Sequence, residues 1–353
     1  MTLHVFNPEH DIALGLNLSN FTPPEAARRL ASALSFLPAL WASGGDAILV
    51  DNVQEAWKRY AMLSESTAAH RPRPLFVTAP EVKRLPISTV EPWGWDRAIV
   101  SRLLRLGVSG DVLPSGESLE TIRTLSSRQF AVTLLPHLRL PGTVGEATAC
   151  HDEHAVFSLL SSMGQAVLKA PWSSSGRGVR FVSGKDTPMS VGGWARNVIA
   201  RQGAVMVEPL YRKIIDCGME FHSDGNGNIR YLGLSVFKTD GSGYTGNMLA
   251  GEDEKSRLIG QYIPGQTLSA VRQRAMSLLS SAFKHKYAGP FGIDMMVARQ
   301  DGSAAAALHP CVEINLRRTM GHAALALAAH CGPAPCHMEI DAKDNCKIKI
   351  THT

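Results

Sequence analysis

Three oxygen-bearing side chains late in the chain could hold a divalent cation. Asp294 sits at the centre of Phe291-Gly292-Ile293-Asp294-Met295-Met296-Val297. Glu313 and Asn315 follow in Cys311-Val312-Glu313-Ile314-Asn315-Leu316. A turn-rich stretch at residues 299–303 separates the two apolar runs, which predicts an antiparallel pair of strands. Glu313 and Asn315 are two apart and so share a face. An acid in so apolar a strand needs charge compensation if it is buried. Mg²⁺ takes few protein carboxylates and completes its octahedron with phosphate oxygens and water, which suits this donor set. The plainer alternative for Asp294 is an edge or turn residue.

A second stretch has the makings of a phosphate site. Val167-Leu168-Lys169 leads through Ala170-Pro171-Trp172 into Ser173-Ser174-Ser175-Gly176-Arg177-Gly178, and Val179-Arg180-Phe181-Val182 follows. Two β-prone runs around small polar residues predict a hairpin. Small side chains let backbone N–H groups approach an anion, and Lys169 and Arg177 add positive charge. No Gly-Lys-Ser/Thr closes the loop, so it is not a Walker loop. A hairpin of this composition that binds nothing is the alternative.

In this order the two clusters resemble the ATP-grasp superfamily of the carboxylate–amine ligase type. The resemblance rests on Lys169 with the 173–178 loop, the strand Val205-Met206-Val207-Glu208-Pro209-Leu210, and Asp294 with Glu313-Ile314-Asn315. It covers roughly residues 120 to 330. It implies ATP as nucleotide, held between two α+β subdomains with antiparallel sheets, with Mg²⁺ (or Mn²⁺ as a substitute) on Asp294, Glu313 and Asn315. Lys169 would reach the phosphates or the adenine edge, and Ser173, Ser174, Ser175, Gly176, Arg177 and Gly178 would close over the phosphates. Glu208 to Tyr211, with Leu210 among them, would read adenine largely through the backbone. Asp216 would hold the ribose, and Arg128 would be the basic residue opening the nucleotide-binding half.

Many members carry an arginine two residues before the first metal acid, where this chain has Gly292. A basic group for the developing oxyanion must come from elsewhere. Arg317 is the candidate, with Arg318 and Lys238 behind it. The implied activity is ATP- and Mg²⁺-dependent ligation of a carboxylate to an amine (or thiol) through an acylphosphate. The rivals are an ATP-dependent small-molecule phosphotransferase and a nucleotide-binding scaffold without catalysis.

Phe6-Asn7-Pro8-Glu9-His10-Asp11 follows the first predicted strand, where open α/β sheets bind ligands. Glu9, His10 and Asp11 are expected to line the acceptor pocket, holding an ammonium group or taking its proton, with Asn17 and Asn20 extending the surface. The alternative is a turn at Asn7-Pro8 with Asp11 as a cap. Residues 239–247 are dense in small polar residues and read as a loop. As a lid they would bring Lys238, Tyr244 and Asn247 to the acceptor or γ-phosphate; otherwise they are a flexible connection.

The elements that must position these groups begin with an N-terminal α/β layer over residues 1–120, resembling the domain that precedes the nucleotide domain in ATP-grasp enzymes. A nucleotide-binding subdomain at 121–210, a metal-binding subdomain at 211–335 and a C-terminal tail at 336–353 are expected to follow. Helices are predicted over 118–138, 268–286 and 319–330, and an early helix from Glu25 to about Pro38. The chain has 353 residues, 44% of them hydrophobic and 19% charged, which excludes a disordered or fibrous protein. No apolar run reaches about 18 residues, so no membrane span is expected. The start lacks the pattern of a secretory signal. Six scattered cysteines read as reduced thiols rather than as zinc ligands or disulfides. A net charge of +5 with dispersed basic residues gives no nucleic-acid footprint. These features agree with a cytoplasmic enzyme; the resemblance implies small-molecule carboxylate and amine substrates and a homodimer as the expected assembly.

Overall fold

The computed structural model describes residues 1–67, 74–173, 178–183, 189–241, 243–299, 305–331, 334–341 and 346–352. In chain order the first elements are β1 (Thr2–Val5), α1 (His10–Leu16), α2 (Glu25–Ala33), β2 (Ala47–Leu49), α3 (Val53–Thr67), β3 (Leu75–Val77), α4 (Ala79–Val82) and β4 (Thr89–Pro92). Next come α5 (Arg97–Arg105), α6 (Gly116–Leu125), α7 (Arg128–Leu138), β5 (Thr148–Cys150), α8 (Glu153–Met163), β6 (Gln165–Lys169), β7 (Val179–Ser183), α9 (Met189–Gln202) and β8 (Val205–Pro209). The long strands β9 (Arg212–Asp224), β10 (Ile229–Asp240) and β11 (Gly243–Leu249) precede α10 (Glu252–Gly260) and α11 (Gly265–Phe283). The chain closes with β12 (Ala288–Arg299), β13 (Ala306–Asn315), α12 (Met320–Ala328), β14 (Cys336–Asp341) and β15 (Lys347–His352).

The chain divides into two compact units. One comprises residues 1–123, 245–252 and 317–353, the other 124–244 and 253–316. The first contains a parallel sheet in the order β3-β2-β1-β4. Leu3 and Val5 of β1, Ala47 and Leu49 of β2, Val77 and Val90 are buried together with Ile99 and Leu103 of α5. Parallel strands covered on both faces read as continuous apolar runs, which is why Ala47-Ile48-Leu49 shows no alternation. Burying one such side chain contributes about 1.5–3 kcal/mol. Asp96 caps α5 by accepting from the Ile99 N–H at 2.8 Å. In the same unit β14 pairs antiparallel with β15 and with residues 246–249 of β11. Within 336–353, read from the sequence as a tail, residues 336–341 and 347–352 are these two paired strands.

The second unit holds two antiparallel sheets. One runs β5-β8-β6-β7, with α8 and α9 packed over Val156, Leu160, Leu168, Ala195 and Val207. In the other β13, β12, β9 and β10 are consecutive neighbours. Helix α11 buries Leu268, Val271, Ala275, Leu279 and Phe283, the spacing of one helical face. Phe283 meets Phe291 of β12 edge-on at 5.0 Å, and Phe291 stacks on Phe221 of β9 at 5.1 Å.

Three readings of local pattern are corrected. The early helix ends at Ala33 rather than near Pro38, where residues 37–40 form a 3₁₀ turn. The helical region 118–138 is two helices, because Ser127 breaks the run and caps the second by accepting from the Gln129 N–H at 3.2 Å. The loop expected at 239–247 is in large part β11, so Tyr244 and Asn247 are strand residues. Its composition is that of a loop, but pairing with β14 supplies partners that composition does not reveal.

Candidate nucleotide and metal site

Within the second unit the hairpin and the metal strands carry their polar groups to one region. Lys169 ends β6, opposite Val179 of β7 on one side and Met206 of β8 on the other. Its Nζ donates to Glu208 Oε2 at 2.6 Å, and both side chains are at least nine-tenths buried. On the other sheet Asp294 of β12 stands directly opposite Glu313 of β13. Asn315 Nδ2 donates to Asp294 Oδ2 at 3.0 Å, which turns Oδ1 of the same amide away from that carboxylate. Two carboxylates and an amide oxygen on one strand pair are a donor set that Mg²⁺ accepts. The two facing carboxylates fit that ion, while the Asn315 amide presents its nitrogen to Asp294.

Arg128 ties these parts together. It opens α7, is buried, and its Nη1 donates to Ala170 O and Ser173 Oγ, both at 2.7 Å. Its Nη2 donates to Glu313 Oε2 at 2.9 Å. One guanidinium therefore spans from the base of the Ser/Gly hairpin to Glu313, an acid of the candidate metal pair. Gly178 O closes the base of the hairpin by accepting from the Ala170 N–H at 2.8 Å. Ser174, Ser175, Gly176 and Arg177 lie outside the described residues.

His309 and Cys311 precede Glu313 on β13, where its pairing with β12 is irregular. His309 is 1% exposed, and neither ring nitrogen has a hydrogen-bond partner. Burial, reinforced by the nearby Lys169 charge, pushes its pKa down to about 3, so the imidazole is neutral. Tyr211 meets its ring edge-on at 5.6 Å. A side chain at Gly145, whose φ is +127°, would lie 2.9 Å from His309 Nε2, so only glycine leaves room for the ring. Burial raises the Cys311 thiol and the Tyr211 phenol. The sequence carried no local signal for His309.

The other expected contacts fall in different surroundings. The Leu210 N–H donates to Gln165 O at 3.3 Å, so it is engaged within the fold. Asp216 accepts from Lys213 Nζ at 2.6 Å and from Thr239 Oγ1 at 2.7 Å. Lys238 is exposed on β10. Tyr244 is partly buried, and its phenol is raised by burial and by the Glu220 charge.

Arg317, Glu9, His10, Asp11 and Asn247 belong to the first unit. Arg317 grips Asp11 with both arms, Nε to Oδ1 at 2.9 Å and Nη2 to Oδ2 at 2.7 Å. Arg318 pairs with Glu91 at 2.8 Å and covers the Trp41 ring at 4.5 Å. Asn247 is buried opposite Met338. Asn17 holds Arg97 and Glu120. His10 Nδ1 lies 3.1 Å from Asp96 Oδ2, and Asn7 Nδ2 lies 3.3 Å from the same oxygen. Neither Asn7 nor Asp96 stood out as a site residue; the N-cap position of Asp96 before an apolar helix was its visible signal.

No protein-family model and no curated protein matches the chain. Solved structures do. A biotin carboxylase–β-γ-ATP complex from Campylobacter jejuni aligns over 96% of this chain and 75% of its own, with a TM-score of 0.53 and 13% identity. N5-carboxyaminoimidazole ribonucleotide synthetase from Thermus thermophilus aligns over 96% and 82%, at 0.51 and 13%. The biotin carboxylase domain dimer of Hydrogenobacter thermophilus 2-oxoglutarate carboxylase, with MgADP, ADP and bicarbonate, aligns over 98% and 76%, at 0.51 and 11%. These are ATP-grasp proteins. The chain has the ATP-grasp fold, an N-terminal α/β layer followed by α+β units with antiparallel sheets.

Proposed function

We propose that the chain is an ATP- and Mg²⁺-dependent ligase that joins a carboxylate to an amine (or thiol) through an acylphosphate. One observation carries this reading: Arg128 links the base of the Ser/Gly hairpin to Glu313, which faces Asp294 across the strand pair. Cationic groups for phosphates and oxygen donors for a metal thus converge in a single unit. The neighbours support it, since one is a complex with β-γ-ATP, another a complex with MgADP and ADP, and the third a synthetase.

Asp294, Glu313 and Asn315 would hold Mg²⁺, which when bound neutralises phosphate charge. Arg128 and Lys169 hold and orient the phosphates, with Ser173 and Gly178 at the base of the covering hairpin. Glu208 lies on the edge read by adenine, where the Leu210 N–H is already given to Gln165 O and leaves only the Leu210 carbonyl for it, and Asp216 takes the ribose. Phosphoryl transfer needs little more from a protein than position and charge neutralisation. Arg317 stabilises the oxyanion formed when the amine adds to the acyl group, and Asp11 fixes its plane through the paired hydrogen bonds; Lys238 is the second candidate for that role. Cytoplasmic location and a homodimer belong to this reading.

Calorimetry of ATP binding with and without Mg²⁺, on the wild type and Glu313→Ala, tests it. Binding that needs Mg²⁺ and weakens in the variant is expected, as is ADP release that requires a carboxylate and an amine together. Absence of nucleotide binding by the wild type would overturn it. Release of a stable phosphorylated product without an amine would replace ligation by phosphotransfer.

A further inference from the structure

The last strand of the first unit has an open edge. β15 pairs with β14 and ends its sheet, so on the other side every second residue points its N–H and C=O away from any strand. Lys347 and Lys349 are two apart on this strand and share a face, while Ile348 and Ile350 take the other. Lysines of this kind blunt an open edge. Here, however, the edge borders a cleft with apolar walls.

The cleft has a volume of about 370 Å³ and lies within the first unit. Five consecutive residues of β15, 347–351, line it. Consecutive residues point to opposite faces, so the edge of the strand itself forms a wall. Met62 and Leu63 of α3 contribute to the lining, as do Leu34 and Phe36 from the stretch that follows α2. Leu34, Phe36 and Leu63 are buried, whereas Met62 is 41% exposed although it is a large apolar side chain. The volume falls in the range of small-molecule sites, about 300–1,000 Å³.

The charged side chains that line the cleft are Arg59, Lys347 and Lys349, all cations. Arg59 Nε donates to Glu55 Oε1 at 2.8 Å, and Lys349 Nζ to Asp341 Oδ2 at 2.6 Å. Neither acid belongs to the lining, and each pair has a half-exposed partner. Such pairs hold by only about 0–1 kcal/mol, so their cations are available to a better-placed acceptor. Asp341 stands opposite Lys347 in the register but gives Oδ2 to Lys349, and Glu339 stands opposite Lys349 on the same inner strand. Lys347 is therefore the cation least engaged by the fold. An apolar body alone would leave these cations without gain, and a bare anion would leave the apolar walls in water. A ligand with both parts satisfies the whole lining.

We propose that this cleft binds a monocarboxylate with an aliphatic body, the tail against Leu34, Phe36, Met62 and Leu63 and the carboxylate on Lys347, with Arg59 and Lys349 beside it. The site holds whether or not the chain is a ligase, since it shares no residue with the nucleotide and metal groups.

The test uses the full chain labelled with ¹³C-methyl methionine and titrated with sodium octanoate, below its micellar range and at constant ionic strength. The Met62 signal is assigned by its loss in Met62→Leu. The controls are n-octylammonium chloride, the same tail with the opposite charge, and acetate, the same head without the tail. A saturable shift of the Met62 methyl is expected with octanoate and with neither control. Lys347→Met should weaken octanoate binding about tenfold, the loss of one hydrogen bond to a charged group. Lys347→Arg should retain it, and melting temperatures check that both variants fold. Absence of a saturable shift, an equal response to n-octylammonium, or unchanged affinity in folded Lys347→Met would overturn the proposal. A shift by the extended peptide acetyl-Glu-Val-Glu-Val-amide without one by octanoate would overturn it too, and would assign the open edge to strand addition.

Discussion

Replacing Arg128 by glutamine should move metal affinity and nucleotide affinity in opposite directions. In the ligand-free protein the Arg128 guanidinium already neutralises Glu313, through the Nη2–Oε2 contact of 2.9 Å. A divalent cation arriving at Asp294 and Glu313 without nucleotide therefore competes with a resident charge. Unit charges about 4 Å apart at an effective dielectric near 20 interact by roughly 4 kcal/mol. The Glu313 side chain is 23% exposed, and Arg128 occupies only Oε2, so a cation can share the carboxylate. About a third of that energy, roughly 1.4 kcal/mol or tenfold in affinity, is the expected penalty from Arg128. In Arg128→Gln, Mn²⁺ titrated into nucleotide-free protein and followed by electron paramagnetic resonance should bind about tenfold tighter than to wild type. MgATP, measured by calorimetry, should bind at least tenfold weaker, because the phosphates lose a cationic partner. Glutamine keeps an amide donor near Ala170 O and Ser173 Oγ, and circular dichroism checks that the fold survives. Unchanged or weaker Mn²⁺ binding in a folded variant would refute the competition. Weakened MgATP alone would leave Arg128 as an ordinary phosphate contact.

Other outcomes follow from buried groups. His309 titrates near 6.5 when unfolded and at about 3 when folded, so between those values the unfolded state holds the extra proton. Stability due to His309 is therefore intact above pH 6.5 and falls by about 1.4 kcal/mol per pH unit below it. Thermal melts from pH 7 to pH 5 should show a shallower slope in His309→Leu. Some slope should remain, since burial also lowers His4; identical slopes would exclude His309. Lys169→Met strands Glu208 in a buried site, a loss of about 3–5 kcal/mol where one partner of a buried pair is removed. The double variant Lys169→Met/Glu208→Leu should recover most of the lost melting temperature, and a further fall would contradict the pairing. Arg317→Ala should lower turnover by about 10²–10³ while sparing MgATP affinity, the usual effect of losing an oxyanion donor. Near-normal turnover would remove Arg317 from that role.

Local pattern made the pairing of the strands that carry Asp294 and Glu313, and of the strands around the Ser/Gly loop, legible before any coordinates. Strand alternation puts Glu313 and Asn315 on one face, and a short apolar run with turn residues on either side implies the pairing that sets Asp294 against Glu313. The hairpin of β6 and β7 was readable for the same reason. Composition misled where pairing came from far away. Residues 239–247 have the small polar character of a loop, yet β11 forms there and pairs at Gly246 with Glu339. Propensity is a weak prior against a partner strand that satisfies the backbone.

From the residues alone came the kinds of chemistry available: oxygen donors for a hard cation, small residues and cations for phosphate, and acids beside a histidine after the first strand. Those depend on side-chain type and on spacings of two residues within a strand, which a linear chain displays directly. Which groups meet was decided by tertiary structure. Arg128 reaches Glu313 across 185 residues and His10 reaches Asp96 across 86. Neither the burial of His309 nor the unpartnered buried atoms of Glu9 and His10 are written in any local pattern. Burial and long-range contact are properties of the packed chain, and they set the partner, the charge state and the unsatisfied valence of each group.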